Sequence, residues 1–338
     1  MAKNINAIPV NGKRSNLANS IPLSTPYKID IFPIYACNFR CGYCIHSVPM
    51  NSRGDICNNK IMPLDMIRDL TKVKFTEKIK VIHFAGYGEP LLHPDIVEMV
   101  KIMVDSSIAN VVDIVTNGAL LNRDLSKKLM EAGLGKLRIS LQGLDREMYK
   151  RVSDVDLDFE QFKKNIYEFK EMRDKYNYQT EIYIKILDSV LGNYSEEDFY
   201  EKFSPLCDYI AIEHLEPLVD EISYEDKFNK TKFDTNVKGN KVNSLKVCPW
   251  PFYSMMINPD GDVLPCCNHY KPIVLGNICE DSIVDIWNSD KLKEFQKQQL
   301  MYFRGGVDVC YRCNNIKYQS FPEDNIDDYA PEILKRYK

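Results

Sequence analysis

Ile29-Asp30-Ile31-Phe32-Pro33-Ile34-Tyr35-Ala36-Cys37-Asn38-Phe39-Arg40-Cys41-Gly42-Tyr43-Cys44 joins an apolar, strand-like run (Ile29 to Tyr35) to three cysteines spaced C-x3-C-x2-C. Three thiolates on one short loop can hold three corners of a [4Fe–4S] cube, which normally takes four cysteine ligands. The corner left over is open to a substrate or cofactor, as the fourth position of a catalytic zinc is. A structural zinc site is the other reading, although zinc loops more often supply two cysteines per knuckle.

Working outward, strand-like and helix-like runs alternate from residue 27 to about 215. Strands are expected at Ile29–Tyr35, Ile79–Ala85, Val111–Thr116, Lys136–Leu141, Glu181–Leu187 and Asp208–Glu213, all nearly continuous in apolar character, as buried parallel strands are. Helices are expected at Leu64–Val73, Asp95–Val104, Arg123–Ala132, Phe159–Tyr176 and Glu196–Phe203. Pro63 and Pro94 stand where first-turn prolines belong, and Gly133 where a C-cap does. Such β/α units in succession imply a parallel sheet with right-handed crossovers. Six units are too few for a closed eight-stranded barrel, so the fold class is α/β, a partial (β/α)6 barrel. Its reactive end is the carboxyl end of the strands, where the cysteine loop falls.

From residue 216 the alternation breaks and charge rises. The expected organisation is an irregular arm at 1–26, the barrel at 27–220, a linker at 221–247 that can also serve as a lid, and a small domain at 248–338. The small domain opens with a hairpin, Phe252–Asn258 and Val263–Leu264 around the turn Pro259-Asp260-Gly261-Asp262. A helix over Ser282–Leu300 follows, with Ser282 as N-cap.

With 338 residues, 44% hydrophobic and 27% charged, the composition is that of an ordinary globular protein. A net charge of −4 leaves no electrostatic footprint for nucleic acid or an anionic membrane. No apolar run reaches the length of about 18 residues that spans a bilayer, and residues 1–27 have no secretory apolar core. Eleven cysteines without an export signal point to metal or redox chemistry in a reducing, cytoplasmic setting.

After the second strand comes Phe84-Ala85-Gly86-Tyr87-Gly88-Glu89-Pro90. Glycines let backbone approach a ligand closely, and a following carboxylate can pair with an ammonium group. Together with the cysteine loop, this segment resembles the Gly-Gly-Glu-Pro motif of radical S-adenosylmethionine (SAM) enzymes, with Tyr87 in place of the first glycine of the pair. The resemblance implies that Cys37, Cys41 and Cys44 hold the cluster whose open iron is chelated by SAM. It further implies that Gly86, Tyr87, Gly88 and Glu89 meet the methionyl amino group and that Tyr43 contacts adenine. Asn117, in Thr116-Asn117-Gly118, lies in another segment similar to the family's. Ser140 and Gln142 match positions near the SAM carboxylate and ribose, Gln142 standing where many relatives have Asp. Lys185 either meets the SAM carboxylate or snorkels at the strand end. The five histidines (His46, His83, His93, His214, His269) show no ligand spacing and are expected to be packing or satisfied polar residues.

Cys248, Cys266, Cys310 and Cys313 form a second thiol group, which suits a fully coordinated [4Fe–4S] cluster or a zinc ion. Cys267 competes with Cys266, Cys279 is a weaker spare, and Cys57 and Cys207 are expected to be core or surface thiols. The order Cys248, Gly261, Cys266, Gly276-Asn277-Ile278, Ile283–Trp287 and Cys310-x2-Cys313 resembles auxiliary-cluster domains of the SPASM/twitch type. No cysteine follows Cys313, so one auxiliary cluster is expected.

The implied activity is formation of a 5′-deoxyadenosyl radical that takes hydrogen from a substrate C–H bond. A flavodoxin or ferredoxin is the implied electron donor. A closed auxiliary cluster suits electron acceptance, and one-cluster relatives include 2-deoxy-scyllo-inosamine dehydrogenase. The expectation is therefore two-electron oxidation of a polyol, amino sugar or other small molecule. Peptide modification, by thioether formation or epimerisation, is less favoured because no leader-binding domain precedes Tyr27. A zinc-stabilised binding protein is the non-enzymatic alternative.

Overall fold

The computed structural model describes residues 3–4, 15–56, 59–242, 244–302 and 306–337; Cys57 lies outside them. Ten strands form one open sheet: β1 (Lys3–Asn4), β2 (Lys28–Ile31), β3 (Ile79–Phe84), β4 (Ala109–Thr116), β5 (Lys136–Leu141), β6 (Glu181–Leu187), β7 (Tyr209–Glu213), β8 (Ser254–Ile257), β9 (Asp262–Leu264) and β10 (Gly276–Asn277). Their order is β1-β7-β6-β5-β4-β3-β2-β8-β9-β10, parallel from β1 to β8 and antiparallel beyond. The expected α/β partial barrel is present and not closed. Its sheet runs on into the C-terminal region, because β8 pairs in parallel with β2 from Lys28↔Ser254 to Ile31↔Ile257.

Helices α1 (Leu64–Leu70), α2 (Ile96–Ser106), α3 (Arg123–Glu131), α4 (Arg146–Ser153), α5 (Phe159–Tyr176) and α6 (Glu196–Phe203) connect the parallel strands. Alternate strand residues, such as Ile82, Phe84, Ile114, Leu137, Ile139, Ile182 and Ile184, join one apolar core with Met99, Leu129, Ile166, Phe169 and Phe199 of these helices. The expectation of uniformly apolar strands needs correcting. The opposite face of the parallel strands carries buried polar residues, among them Asp30, His83, Asp113 and Glu213. Side chains alternate along a strand, so one face packs under helices and the other lines the hollow of the curved sheet.

The helix α4 was not expected from the sequence. It begins at Asp145, whose side chain accepts from the N–H of Met148 at 2.7 Å, and it ends with Asp154 in the left-handed region. The helix expected over Ser282–Leu300 is two, α8 (Ile283–Asn288) and α9 (Asp290–Leu300), if α7 is given to Tyr224–Phe228. Ser289, with ψ 150, breaks the run and caps α9 by accepting from Leu292 N–H at 3.2 Å. Short helices α10 (Asp308–Arg312), α11 (Asn315–Tyr318) and α12 (Ala330–Leu334) complete the chain. Leu17, Ala18 and Ile21 pack with Phe252, Ile326 and Ile333 in a separate small core, and Arg336 donates to the carbonyls of Ala18 and Ile21.

Losing the cap of α4 costs about 1 kcal/mol. Asp145→Ala should lower the midpoint of a urea melt accordingly, while Asp145→Asn, which keeps an accepting oxygen, should stay near the parent.

Candidate functional site

Cys37, Cys41 and Cys44 lie on the loop after β2, which is pinned from two sides. From α4, the carbonyls of Ser153 and Val152 accept from the N–H groups of Arg40 and Gly42, each at 2.8 Å. The Cys41 thiol lies 3.5 Å from Ser153 Oγ. From the turn after β3, Glu89 N–H donates to Ala36 O at 2.9 Å. A Cβ on Gly88 would fall 2.0 Å from Ile34 O, and one on Gly86 (φ +111) 2.3 Å from the Phe32 ring. Both glycines are thus required by close approach to the cysteine loop itself.

Glu89 is buried and accepts from three protein donors. Oε1 accepts from Thr116 Oγ1 at 2.6 Å and Leu91 N–H at 3.0 Å, and Oε2 from Asn117 N–H at 2.7 Å. Burial raises its pKa, opposed by these bonds. Asn117 Nδ2 in turn donates to Asn38 Oδ1 at 2.8 Å, inside the cysteine loop. Tyr43 donates its hydroxyl to Gln142 Oε1, and Gln142 Nε2 donates to Ser140 O at 3.1 Å. Ser140 is Lys185's neighbour in register, and Lys185 Nζ lies 2.6 Å from Glu213 Oε2. The Gly-rich turn, Asn117, Tyr43 and Gln142 therefore converge on one loop, whereas Lys185 faces a carboxylate on β7.

Burial pushes the Cys37 thiol up to about 12, despite a hydrogen bond from Phe39 N–H. Burial also raises Cys41 and Cys44. Thiols held protonated in this way release protons when they take up iron. Among the described residues, no three His, Cys, Asp or Glu side chains come close enough to share a single metal ion. A polynuclear cluster, with its thiolates on separate irons, does not require them to.

The hollow of the sheet carries a chain of polar contacts that apolar periodicity hid. His83 Nδ1 is hydrogen-bonded to Asp113 Oδ1, and Arg138 Nη1 lies 3.8 Å from Asp113 Oδ2. Arg138 stands over the Tyr183 ring, and Tyr183 donates to Glu213 Oε1 at 3.4 Å. Lys238 Nζ sits 2.6 Å from the same carboxylate. Burial opposes charge on Glu213, but Lys185 and Lys238 outweigh it and hold the carboxyl well below its usual range. The signal was available: His83, Asp113, Arg138, Lys185 and Glu213 sit at alternate positions of their strands.

Residues from the stretch 216–242 contact this site, Lys238 at Glu213 among them. Phe228 of α7 packs against Tyr43 at 6.2 Å between ring centroids, and Lys227 Nζ donates to Ser47 Oγ at 2.9 Å. Glu216 accepts from Val237 N–H at 2.7 Å and Gln319 Nε2 at 3.1 Å. Burial pushes its carboxyl up to about 8. His46, two residues past Cys44, is buried with Nδ1 3.2 Å from Arg53, and burial lowers it to about 4.

Cys248, Cys266, Cys310 and Cys313 line a single cavity, together with Phe295 and Gln299. Cys267 is turned elsewhere: its carbonyl accepts from the Tyr87 hydroxyl, and its sulfur from Asn315 Nδ2 at 3.3 Å. Cys279 is exposed, and Cys207 is buried with its thiol donating to Phe203 O at 3.3 Å. The donor chemistry fits the implied groups, with three thiols beside a glycine turn and four around a cavity whose walls are otherwise largely apolar.

The profile of the radical SAM superfamily matches residues 31–189, and that of an iron–sulfur cluster-binding (SPASM) domain matches residues 248–314. The chain carries a radical SAM domain and a SPASM domain. Those domains imply [4Fe–4S] clusters and SAM. It is similar to GTP 3′,8-cyclase of Helicobacter pylori (strain HPAG1), 34% identical over 122 residues, 36% of each chain. It is also similar to that of Chlorobaculum tepidum, 38% identical over 131 residues, 38% of this chain and 36% of the relative. The match thus spans little more than a third of these curated relatives. Streptococcus suis SuiB bound to S-adenosylmethionine shares the fold with a TM-score of 0.61 at 17% identity, over 89% of this chain and 73% of that one. BtrN, solved with AdoMet and 2-DOIA, gives 0.53 at 22% identity, over 89% and 97%. No helix among the described residues is long and apolar enough to cross a membrane.

Two outcomes test this geometry. Gly88→Ala drives a methyl into the Ile34 carbonyl, so about 3 kcal/mol of stability should be lost, with reduced iron uptake on reconstitution. Glu216 has a folded pKa raised above the unfolded value. Its contribution is full below about pH 4.5 and is lost as pH rises through about 8. Thermal melts from pH 5 to 9 should show the parent falling relative to Glu216→Gln.

Proposed function

We propose that this radical SAM enzyme dehydrogenates a polar small molecule, a polyol, amino sugar or nucleoside-type compound, held in the hollow of the sheet. The observation behind the proposal is that four thiols line one cavity. Four ligands close a [4Fe–4S] cluster and leave no iron for substrate, which favours electron acceptance. In this reading Cys37, Cys41 and Cys44 hold the SAM-binding cluster, and Cys248, Cys266, Cys310 and Cys313 hold one auxiliary cluster. The backbone of Gly86–Gly88 receives the methionyl amino group, with Glu89 fixing that turn. Asn117, Tyr43, Ser140 and Gln142 shape the nucleoside side, and Lys185 stands at its edge. Bound there, the cofactors supply a hydrogen-abstracting 5′-deoxyadenosyl radical and a one-electron acceptor.

The chain's own part is to hold the substrate and take its proton. The charges in the hollow are paired, Asp113 with His83 and Arg138, and Glu213 with Lys185 and Lys238. Such a lining offers paired donors and acceptors, which suits hydroxyl and amino groups. Arg138 Nε is buried with no partner among the described residues. His83 Nδ1 is committed to Asp113, which orients the ring and leaves Nε2 to take the proton. The names of the curated relatives favour a nucleoside-type substrate. Peptide modification is the second reading, since SuiB, solved with precursor peptide SuiA, shares the fold with a TM-score of 0.58. The work is assigned to the cytoplasm, with reduction by a flavodoxin or ferredoxin.

Anaerobic reconstitution should give a brown protein with about eight irons per chain, falling to about four in Cys248→Ala/Cys266→Ala and unchanged in Cys267→Ala. Stoichiometric zinc without colour would falsify the cluster assignment. Incubation with SAM, reductant and candidate polyols, aminocyclitols or nucleosides should yield 5′-deoxyadenosine and a product lighter by two hydrogens. A product of unchanged mass and inverted configuration points to epimerisation instead. His83→Gln should still cleave SAM but lower product formation about a hundredfold.

A further inference from the structure

Gln299 follows Phe295 by four residues on α9, so both side chains leave the same face of the helix, and both line the cysteine cavity. Gln299 is 1% exposed, and neither Nε2 nor Oε1 has a partner among the described residues. Its neighbour Gln296, also buried, donates Nε2 to Pro251 O at 2.8 Å. Asn268, the other amide on the cavity wall, commits Oδ1 to Tyr270 N–H at 2.8 Å. A buried amide left unpaired forfeits its hydration with nothing in return. Pro251, Pro272, Val309 and Ile316, which complete the wall, carry no polar side chain to relieve it. The acceptors left among the side chains on this wall are the four cysteine sulfurs.

We infer that Gln299 Nε2 donates a hydrogen bond to a sulfur of the auxiliary cluster, either a cysteine thiolate or a bridging sulfide, and raises its reduction potential. The inference rests on the assignment of an auxiliary cluster to Cys248, Cys266, Cys310 and Cys313. Reduction adds one negative charge to the cluster, and a donor aimed at sulfur stabilises the more negative state. A hydrogen bond to a charged group is stronger than one between neutral groups, and only its difference between the two oxidation states reaches the potential. Gln299 is a positioning and tuning residue here; it touches the cluster and not the substrate.

The test uses the full chain carrying Cys37→Ala/Cys41→Ala/Cys44→Ala, so that the auxiliary cluster is the one titrated. Potentials are followed by electron paramagnetic resonance under argon, with Gln299→Leu and Gln299→Met compared against Gln299. The expected result is about four irons per chain in each, with a tenfold loss in the equilibrium constant for one-electron reduction in Leu and Met, about 59 mV downward. An unchanged potential at full iron content overturns the inference. Should both variants lose iron, the unsubstituted side chain decides the matter. Protein labelled with 15N in glutamine side chains should show a nitrogen coupling to the reduced cluster, and its absence overturns the inference equally. A parent that takes up zinc and no iron removes the underlying assignment, which iron analysis detects before any titration.

Discussion

The turn Gly86–Glu89 is pressed so closely against the cysteine loop that neither glycine can carry a side chain, and the site depends on that contact. Gly88 meets the Ile34 carbonyl, and Glu89 continues inward to hold Thr116, Asn117 and Leu91. One buried carboxylate thereby ties the ends of β3 and β4 to the loop after β2. A carboxylate buried without partners would be costly, so its three donors and its position specify one another. The loop's far side is fixed by carbonyls at the end of α4.

The hollow obeys the same logic on a larger scale. Asp113, Arg138, Glu213 and Lys238 are largely withdrawn from water and Lys185 is half-buried, and each has an opposite charge within 4 Å. Pairs of this kind add little net stability, but removing one partner leaves a buried charge stranded, at a cost of about 3–5 kcal/mol. A rigid, pre-paired lining of this sort keeps its donors and acceptors in place before any substrate arrives.

Much of this was legible in the sequence, where local signals and tertiary packing agree. The strands Lys136–Leu141 and Glu181–Leu187 and the helices Phe159–Tyr176 and Glu196–Phe203 fall where periodicity put them. The helix α4 went unread because its eight residues hold few apolar positions beyond Met148, Tyr149 and Val152. Its importance lies in two backbone carbonyls, which leave no mark on side-chain pattern. Ser289 looked like one more polar position on a long amphipathic run, yet a serine can cap a new helix as readily as it can continue an old one. The polar face of the strands was masked because a single Lys or Asp among isoleucines resembles a snorkelling edge residue until register puts five of them on one surface. Which of Cys266 and Cys267 lines the cavity required coordinates: Cys266 is on its wall, while the Cys267 sulfur accepts from Asn315.

The two cysteine groups spring from neighbouring strands. The loop of Cys37 leaves the carboxyl end of β2, and β8, which pairs with it, leads through β9 to Cys266. A jointed two-domain enzyme could widen and narrow the gap between its redox groups as it opened and shut. In this chain the gap is spanned by a continuous hydrogen-bonded ladder. The spacing of the two cysteine groups is therefore set by strand pairing and not by a hinge between separate domains.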